Sequence, residues 1–148
     1  MVDLDSHGLG MLNEPTCRRL LEIEKVGRLG LSVDSLPVIL PVNYTVHNST
    51  IVFRSEEGVK VRAARQSTVA CFEVDGFDRF EHSGWSVLAT GRLSLVPDER
   101  ADLYEHLPVV PWGLTGESQF IELSIELLAG RCIIRNPPGT DPIPRVAL

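Results

Sequence analysis

Apolar and polar positions alternate along most of this chain, which is the two-residue period of half-buried strands. The first exception is a helix predicted over Glu14–Val26. Cys17, Leu20, Leu21 and Val26 fall near one face, and Arg18, Arg19, Glu22 and Lys25 face water. Asn13 is a fair N-cap, Pro15 suits the first turn, and Gly27 reads as the stop. Leu29–Val33 alternates, Asp34–Pro37 turns, and Val38–Val46 is a long β-rich run. His47–Thr50 turns again before a strand over Ile51–Ser55. Val59–Gln66 predicts a short helix, Thr68–Asp75 a strand, and Phe77–Gly84 a polar loop.

Trp85–Val96 is the longest strand candidate. Trp85, Val87, Ala89, Leu93 and Leu95 share one parity, while Ser86, Thr90, Arg92 and Ser94 share the other. Gly91 interrupts the first series and predicts a bulge. Pro97 opens a helix running to about Leu107, followed by a loop over Pro108–Gly116 that carries Trp112. Strands over Phe120–Ile125 and Gly130–Arg135 end the pattern. Many short strands joined by turns, with few short helices, predict a mainly β protein built as an antiparallel closed or half-closed barrel. The pattern is not βαβ, so a dinucleotide-binding parallel sheet is excluded. Residues 1–13 read as a loose arm, 14–136 as one domain, and 137–148 as a proline-rich tail.

The chain has 148 residues and a formal net charge of −6. One domain with a real core is expected. Acidity argues against nucleic acid and against anionic membrane surfaces as partners. No apolar run approaches the ~20 residues of a membrane-spanning helix. Met1–Ser6 is acidic and does not read as a signal peptide. Cys17, Cys71 and Cys132 are odd in number and widely spaced, so they read as buried free thiols in a reducing cytoplasm.

Several chemistries are excluded in turn. Gly84-Trp85-Ser86-Val87-Leu88 lacks the final glycine of a nucleophile elbow, and Ser86 lies within a strand. His7, His47, His82 and His106 have no partners at metal-ligand spacing. No phosphate-binding glycine loop is complete. There remains a cationic cluster, Arg54, Ser55 and Lys60, around Gly58. Arginine forks onto phosphate oxygens, lysine adds a point charge, and serine donates a hydrogen bond. The same residues also suit a plain solvated basic face. Asn43 stands in an apolar strand beside Tyr44, where its amide needs partners that a flat heteroaromatic ring could supply. Trp85 and Trp112 suit a core or an interface as well as ring stacking.

Six segments in order carry a resemblance. They are Gly27-Arg28-Leu29, Pro41-Val42-Asn43-Tyr44, Phe53-Arg54-Ser55 with Gly58-Val59-Lys60, Phe72-Glu73-Val74-Asp75, Gly84–Leu88 and Gly130-Arg131. Together they resemble the pyridoxamine 5′-phosphate oxidase-like flavin-binding proteins, and among them the short actinobacterial-type members near the nitroimidazole-resistance-like branch. The resemblance implies a split β-barrel homodimer with FMN in clefts between the subunits. Val42, Asn43 and Tyr44 would line the isoalloxazine. Arg54, Ser55 and Lys60 would hold the ribityl phosphate, with Phe53 beside them. Trp85, Ser86 and Trp112 would come from the partner subunit, and Arg131 is a further cofactor-binding candidate. The implied activity is an FMN-dependent oxidoreductase reducing a small organic molecule. The C-terminal arginine and histidine signature of true pyridoxamine phosphate oxidases is missing, so vitamin B6 oxidation is not expected. Two alternatives stay open. One is a reductase using the deazaflavin F420, whose longer tail would reach Arg62 and Arg65. The other is a flavin carrier without turnover.

Overall fold

The computed structural model describes residues 9–109, 113 and 116–133. The elements in chain order are β1 (Leu9–Leu12), α1 (Glu14–Ile23), β2 (Val26–Val33), β3 (Leu36–Asn43), β4 (Thr45–His47) and β5 (Thr50–Ser55). Then come α2 (Val59–Arg65), β6 (Val69–Asp78), β7 (Ser83–Leu95), α3 (Asp98–Tyr104), β8 (Gln119–Ser124) and β9 (Leu127–Ile133). All pairings are antiparallel, in the order β3-β2-β6-β7-β8-β5-β4, with β9 joining β7 to β1. The predicted antiparallel half-closed barrel is the observed architecture, and it matches solved split-barrel structures.

The strands follow from their side chains. Leu29, Phe72, Val74, Val87, Ala89 and Ile121 point inward and are fully buried, along with Phe53 of β5 and Leu20 and Leu21 of α1. A second, smaller cluster of Val52, Val96, Tyr104 and Phe120 lies on the far side of β5 and β8, under α3. Both tight hairpin turns, at Asp34-Ser35 and Asn48-Ser49, hold two successive residues at positive φ. Type I′ two-residue turns require that conformation, and these polar side chains tolerate it.

Five expectations are corrected. Residues 9–12, read as part of a loose arm, form β1 against β9. Helix α1 ends at Ile23, and Gly27 is a strand residue whose missing side chain admits the Phe72 ring. The long run over 38–46 breaks at Tyr44 into β3 and β4. Half of the polar loop expected over 77–84 is strand, because β6 continues to Asp78 and β7 begins at Ser83.

The fifth correction is the bulge expected at Gly91. Burial alternates without a slip from Trp85 to Leu93, so no bulge exists. Instead β7 changes partner there. Residues 84–90 pair with β9, and Leu93–Leu95 pair with β8. A Cβ at Gly91 would fall inside the backbone carbonyl of Ser124. The neighbouring Arg92 N–H donates to Ser124 Oγ at 2.9 Å. Gly91 is therefore the barrel corner. Gly91→Ala should destabilise the protein by about 3 kcal/mol, the upper range for forced overpacking. Urea unfolding measures this, and a loss below about 1 kcal/mol would show that the corner has room to relax.

Candidate functional site

Side chains along β5 alternate. Ile51, Phe53 and Ser55 face the main core, whereas Val52 and Arg54 face α3. Ser55 is the buried polar residue at the end of the strand, and its hydroxyl donates to the adjacent Glu56 carbonyl at 2.9 Å. Helix α2 follows and packs over β7 and β8, with Val61, Ala63 and Ala64 buried. Lys60, in its first turn, is half-buried. Among the described residues it meets no carboxylate. Burial alone pushes its ammonium below the usual lysine value. The two acids of the intervening loop are held elsewhere. Glu57 forks onto Arg65 at 2.6 and 2.8 Å, which keeps its carboxyl below the ordinary range. Glu56 accepts the Gly116 N–H at 2.8 Å. Lys60 is thus a desolvated cation five residues after the buried Ser55 hydroxyl, with the two carboxylates of the intervening loop tied off, and such a cation gains from an anionic partner.

A second set of candidates gathers at the far end of β7. Trp85, Ser86 and Arg131 line a groove of about 310 Å³ with Phe77, Asp75 and Cys132. Register explains the grouping, since Ser86 stands between Asp75 on β6 and Arg131 on β9. Asp75 and Glu73 share Arg28 on β2, at 3.1 and 3.2 Å. Burial and the neighbouring Asp75 raise the Glu73 carboxyl above its ordinary value, against the pull of Arg28. Arg131 is exposed and meets no carboxylate among the described residues. The groove and the Ser55/Lys60 pair are far apart. Ser55 pairs with Gln119, just past the level of Leu95. Trp85 lies ten residues back along β7, a path of roughly 30 Å along the strand at ~3.3 Å per residue, around the corner at Gly91.

Residues 13–131 match the family model described as pyridoxamine 5′-phosphate oxidase. The chain belongs to the pyridoxamine 5′-phosphate oxidase family. An uncharacterized protein of Mycobacterium tuberculosis, Rv0080, is 30% identical over 129 residues, covering 83% of this chain and 84% of that protein. Among solved structures, the FAD binding protein from Mycobacterium smegmatis superposes with a TM-score of 0.69 at 33% identity, covering 84% of this chain and 97% of that one. A FAD-binding protein from Mesorhizobium loti gives a TM-score of 0.70 at 22% identity over 84% of this chain and 96% of that one, which is a likeness of fold.

Within this family fold, several residues expected at the cofactor have side chains buried or partnered inside the chain. Val42, Tyr44 and Phe53 are core residues. Tyr44 is 1% exposed, its ring packs edge-on against Phe72, and its hydroxyl donates to the Leu21 carbonyl at 2.6 Å. That carbonyl is one of the last four of α1, which have no partner within the helix. Burial raises the Tyr44 hydroxyl well above the usual tyrosine value, so it is a fixed donor and not a proton source. Asn43 is half-buried and lies on the opposite side of β3 from Val42. Arg54 is bound to Glu105, Ser118 and Phe120, out of phase with Ser55. Arg65 is occupied by Glu57. Trp112 lies outside the described residues.

The Arg28–Glu73–Asp75 group was missed as a unit. Its members stand in two of the six family segments, but only strand register shows that they meet. Tyr44→Phe should lower stability by about 1–2 kcal/mol, the cost of an orphaned buried acceptor. It should leave the affinity for a flavin within twofold of the parent. Thermal unfolding and a flavin titration check both halves. A large loss of affinity at unchanged stability would return Tyr44 to the site.

Proposed function

We propose that this chain is a flavin-binding oxidoreductase whose site is shared between two copies of the chain. The observation that carries this is Lys60, a half-buried ammonium with no counter-ion among the described residues, in the first turn of the helix that follows the buried Ser55 hydroxyl. The pair fits the phosphate of a flavin nucleotide, with Lys60 supplying charge and Ser55 a donor. Asn43 would meet the ring edge. Trp85, Ser86 and Arg131 of a second copy would close the cleft, because within one chain they stand at the opposite end of β7 from the level of Ser55. A bound flavin supplies the redox chemistry, and the protein supplies orientation, electrostatics and access. The substrate in this reading is a small organic molecule. Vitamin B6 oxidation is not proposed, since the C-terminal signature for that substrate is missing from the sequence.

FMN carries the one phosphate that Lys60 and Ser55 require. FAD carries it too, and the M. smegmatis FAD-binding relative at 33% identity supports FAD as the second reading. The F420 reading loses one of its expected tail contacts, because Arg65 forks onto Glu57.

The outer face of the larger sheet supports association of two copies. Ile39, Gly30, Cys71, Thr90 and Leu127 form one row across five strands. Ile39 and Leu127 are 72% and 69% exposed, and Met11 is 58% exposed on the same face. Apolar faces of this extent mark interfaces. Two acids share Arg28 on this face, while Arg131, two strands from Asp75, meets no carboxylate among the described residues, an arrangement that would complement itself across a two-fold axis.

The test is a titration of flavin-free protein with FMN, FAD and riboflavin. Lys60→Met should weaken both nucleotides about tenfold to a hundredfold, the loss of a charge-assisted hydrogen bond, and riboflavin less than twofold. Equal effects on all three, or none, would sink the phosphate assignment. Because the cationic form binds and burial lowers its pKa, nucleotide affinity should also fall as pH rises toward the ordinary lysine value of 10.5, beginning below it. In Lys60→Met that pH dependence should vanish. The same substitution removes an unpaired desolvated charge, so the ligand-free protein should melt about 2 °C higher. Light scattering should show a dimer, and a flavin-bound monomer would contradict the shared site.

A further inference from the structure

Arg54 is the residue of the cationic cluster whose side chain the structure accounts for most fully. Its Nε donates to Ser118 Oγ at 3.0 Å, and its Nη1 donates to Glu105 Oε2 at 3.4 Å. Its guanidinium carbon stands 4.5 Å from the centre of the Phe120 ring. Glu105 caps the C-terminus of α3, Ser118 directly precedes β8, and Phe120 lies in β8. One side chain therefore ties β5 to two other segments. The residues after Arg54 are tied down in the same direction. Glu56 accepts from the Gly116 N–H. Glu57, besides forking onto Arg65, is lowered by a hydrogen bond with the Gln119 side chain. Residues 116–119 thus fasten residues 54–57 at successive points. Between them stands Ser55, whose hydroxyl among the described residues donates to the carbonyl next to it and can turn to another acceptor.

Arg54 and Ser55 point to opposite faces of β5. For Arg54 to join an anion held by Ser55 and Lys60, it would have to leave Glu105, Ser118 and the Phe120 ring together. We propose that Arg54 is a positioning residue. It anchors the loop between β5 and α2 so that Ser55 and Lys60 converge on one anion, and it does not touch that anion. This rests on the phosphate reading of Ser55 and Lys60.

The partners of Arg54 make the test, because the two roles predict opposite signs. If Arg54 were a phosphate ligand, removing its competitor in Glu105→Gln would free it and tighten FMN. If it positions the loop, Glu105→Gln and Ser118→Ala should each weaken FMN about threefold to tenfold and change riboflavin less than twofold. Arg54→Lys keeps the charge but cannot fork, and should fall in the same range. Arg54→Lys combined with Glu105→Gln should be no worse than either alone, since both break one interaction. Tighter FMN in Glu105→Gln, or an unchanged ratio of FMN to riboflavin affinity in all the single variants, would overturn the positioning role. Lys60→Met is titrated alongside. If it alone leaves the FMN to riboflavin ratio unchanged, the phosphate reading itself fails and takes this inference with it.

Discussion

The architecture depends on one strand serving two sheets. β7 pairs with β6 along most of its length, with β9 in its first half and with β8 in its last turn. The switch is possible because Gly91 has no side chain where the Ser124 carbonyl comes against it. Any larger residue would force the corner open, and β8 would lose its place beside β5. That pairing in turn sets Ser55 against Gln119 and brings residues 116–119 onto the loop before α2. The same strand carries Trp85 and Ser86 at its other end. A single constraint on β7 therefore fixes both candidate clusters and keeps them apart within one chain.

Burial sets Lys60 apart from the other cations among the described residues. Arg18, Arg28, Arg54, Arg65 and Arg100 each meet a carboxylate. Such exposed pairs contribute little stability individually, and among the described residues Arg19, Lys25, Lys60, Arg62, Arg79, Arg92 and Arg131 meet no carboxylate. Lys60 and Arg131 meet no carboxylate among the described residues, and they stand at the two separated ends. Lys60 is the more informative, because burial without compensation disfavours its charge. A fold keeps such a group at a cost in stability, and an anionic ligand is what would offset that cost.

The barrel was legible because alternation along the strands matches their buried faces, from Leu29 to Ile121. What alternation could not supply was partnership. Gly91 reads as a bulge from sequence because a glycine in an apolar series has two explanations, a slip in register or a close approach. Only the position of Ser124 decides between them. Arg54 and Lys60 look like one cluster because the chain brings them within six positions, yet strand parity turns Arg54 toward α3. Tyr44 beside Asn43 looks like a polar pair, but the break between β3 and β4 sends Tyr44 inward to the end of α1. Ser86 and Arg131 stand 45 positions apart in the chain, and only the register of β7 against β9 shows that they are neighbours.

Complementation between two defective chains tests the shared site most directly. One chain carries Lys60→Met, and the other carries Ser86→Ala with Arg131→Gln. In a dimer with crossed sites, the mixed species has one cleft with both defects and one with neither. Co-expressed and purified with two different tags, the mixed dimer should bind one flavin nucleotide with parental affinity, while each parent dimer binds weakly at both sites. If Lys60 and Arg131 serve the same cleft from one chain, or if the groove around Trp85 has no part in flavin binding, mixing restores no tight site beyond what the separate variants already have.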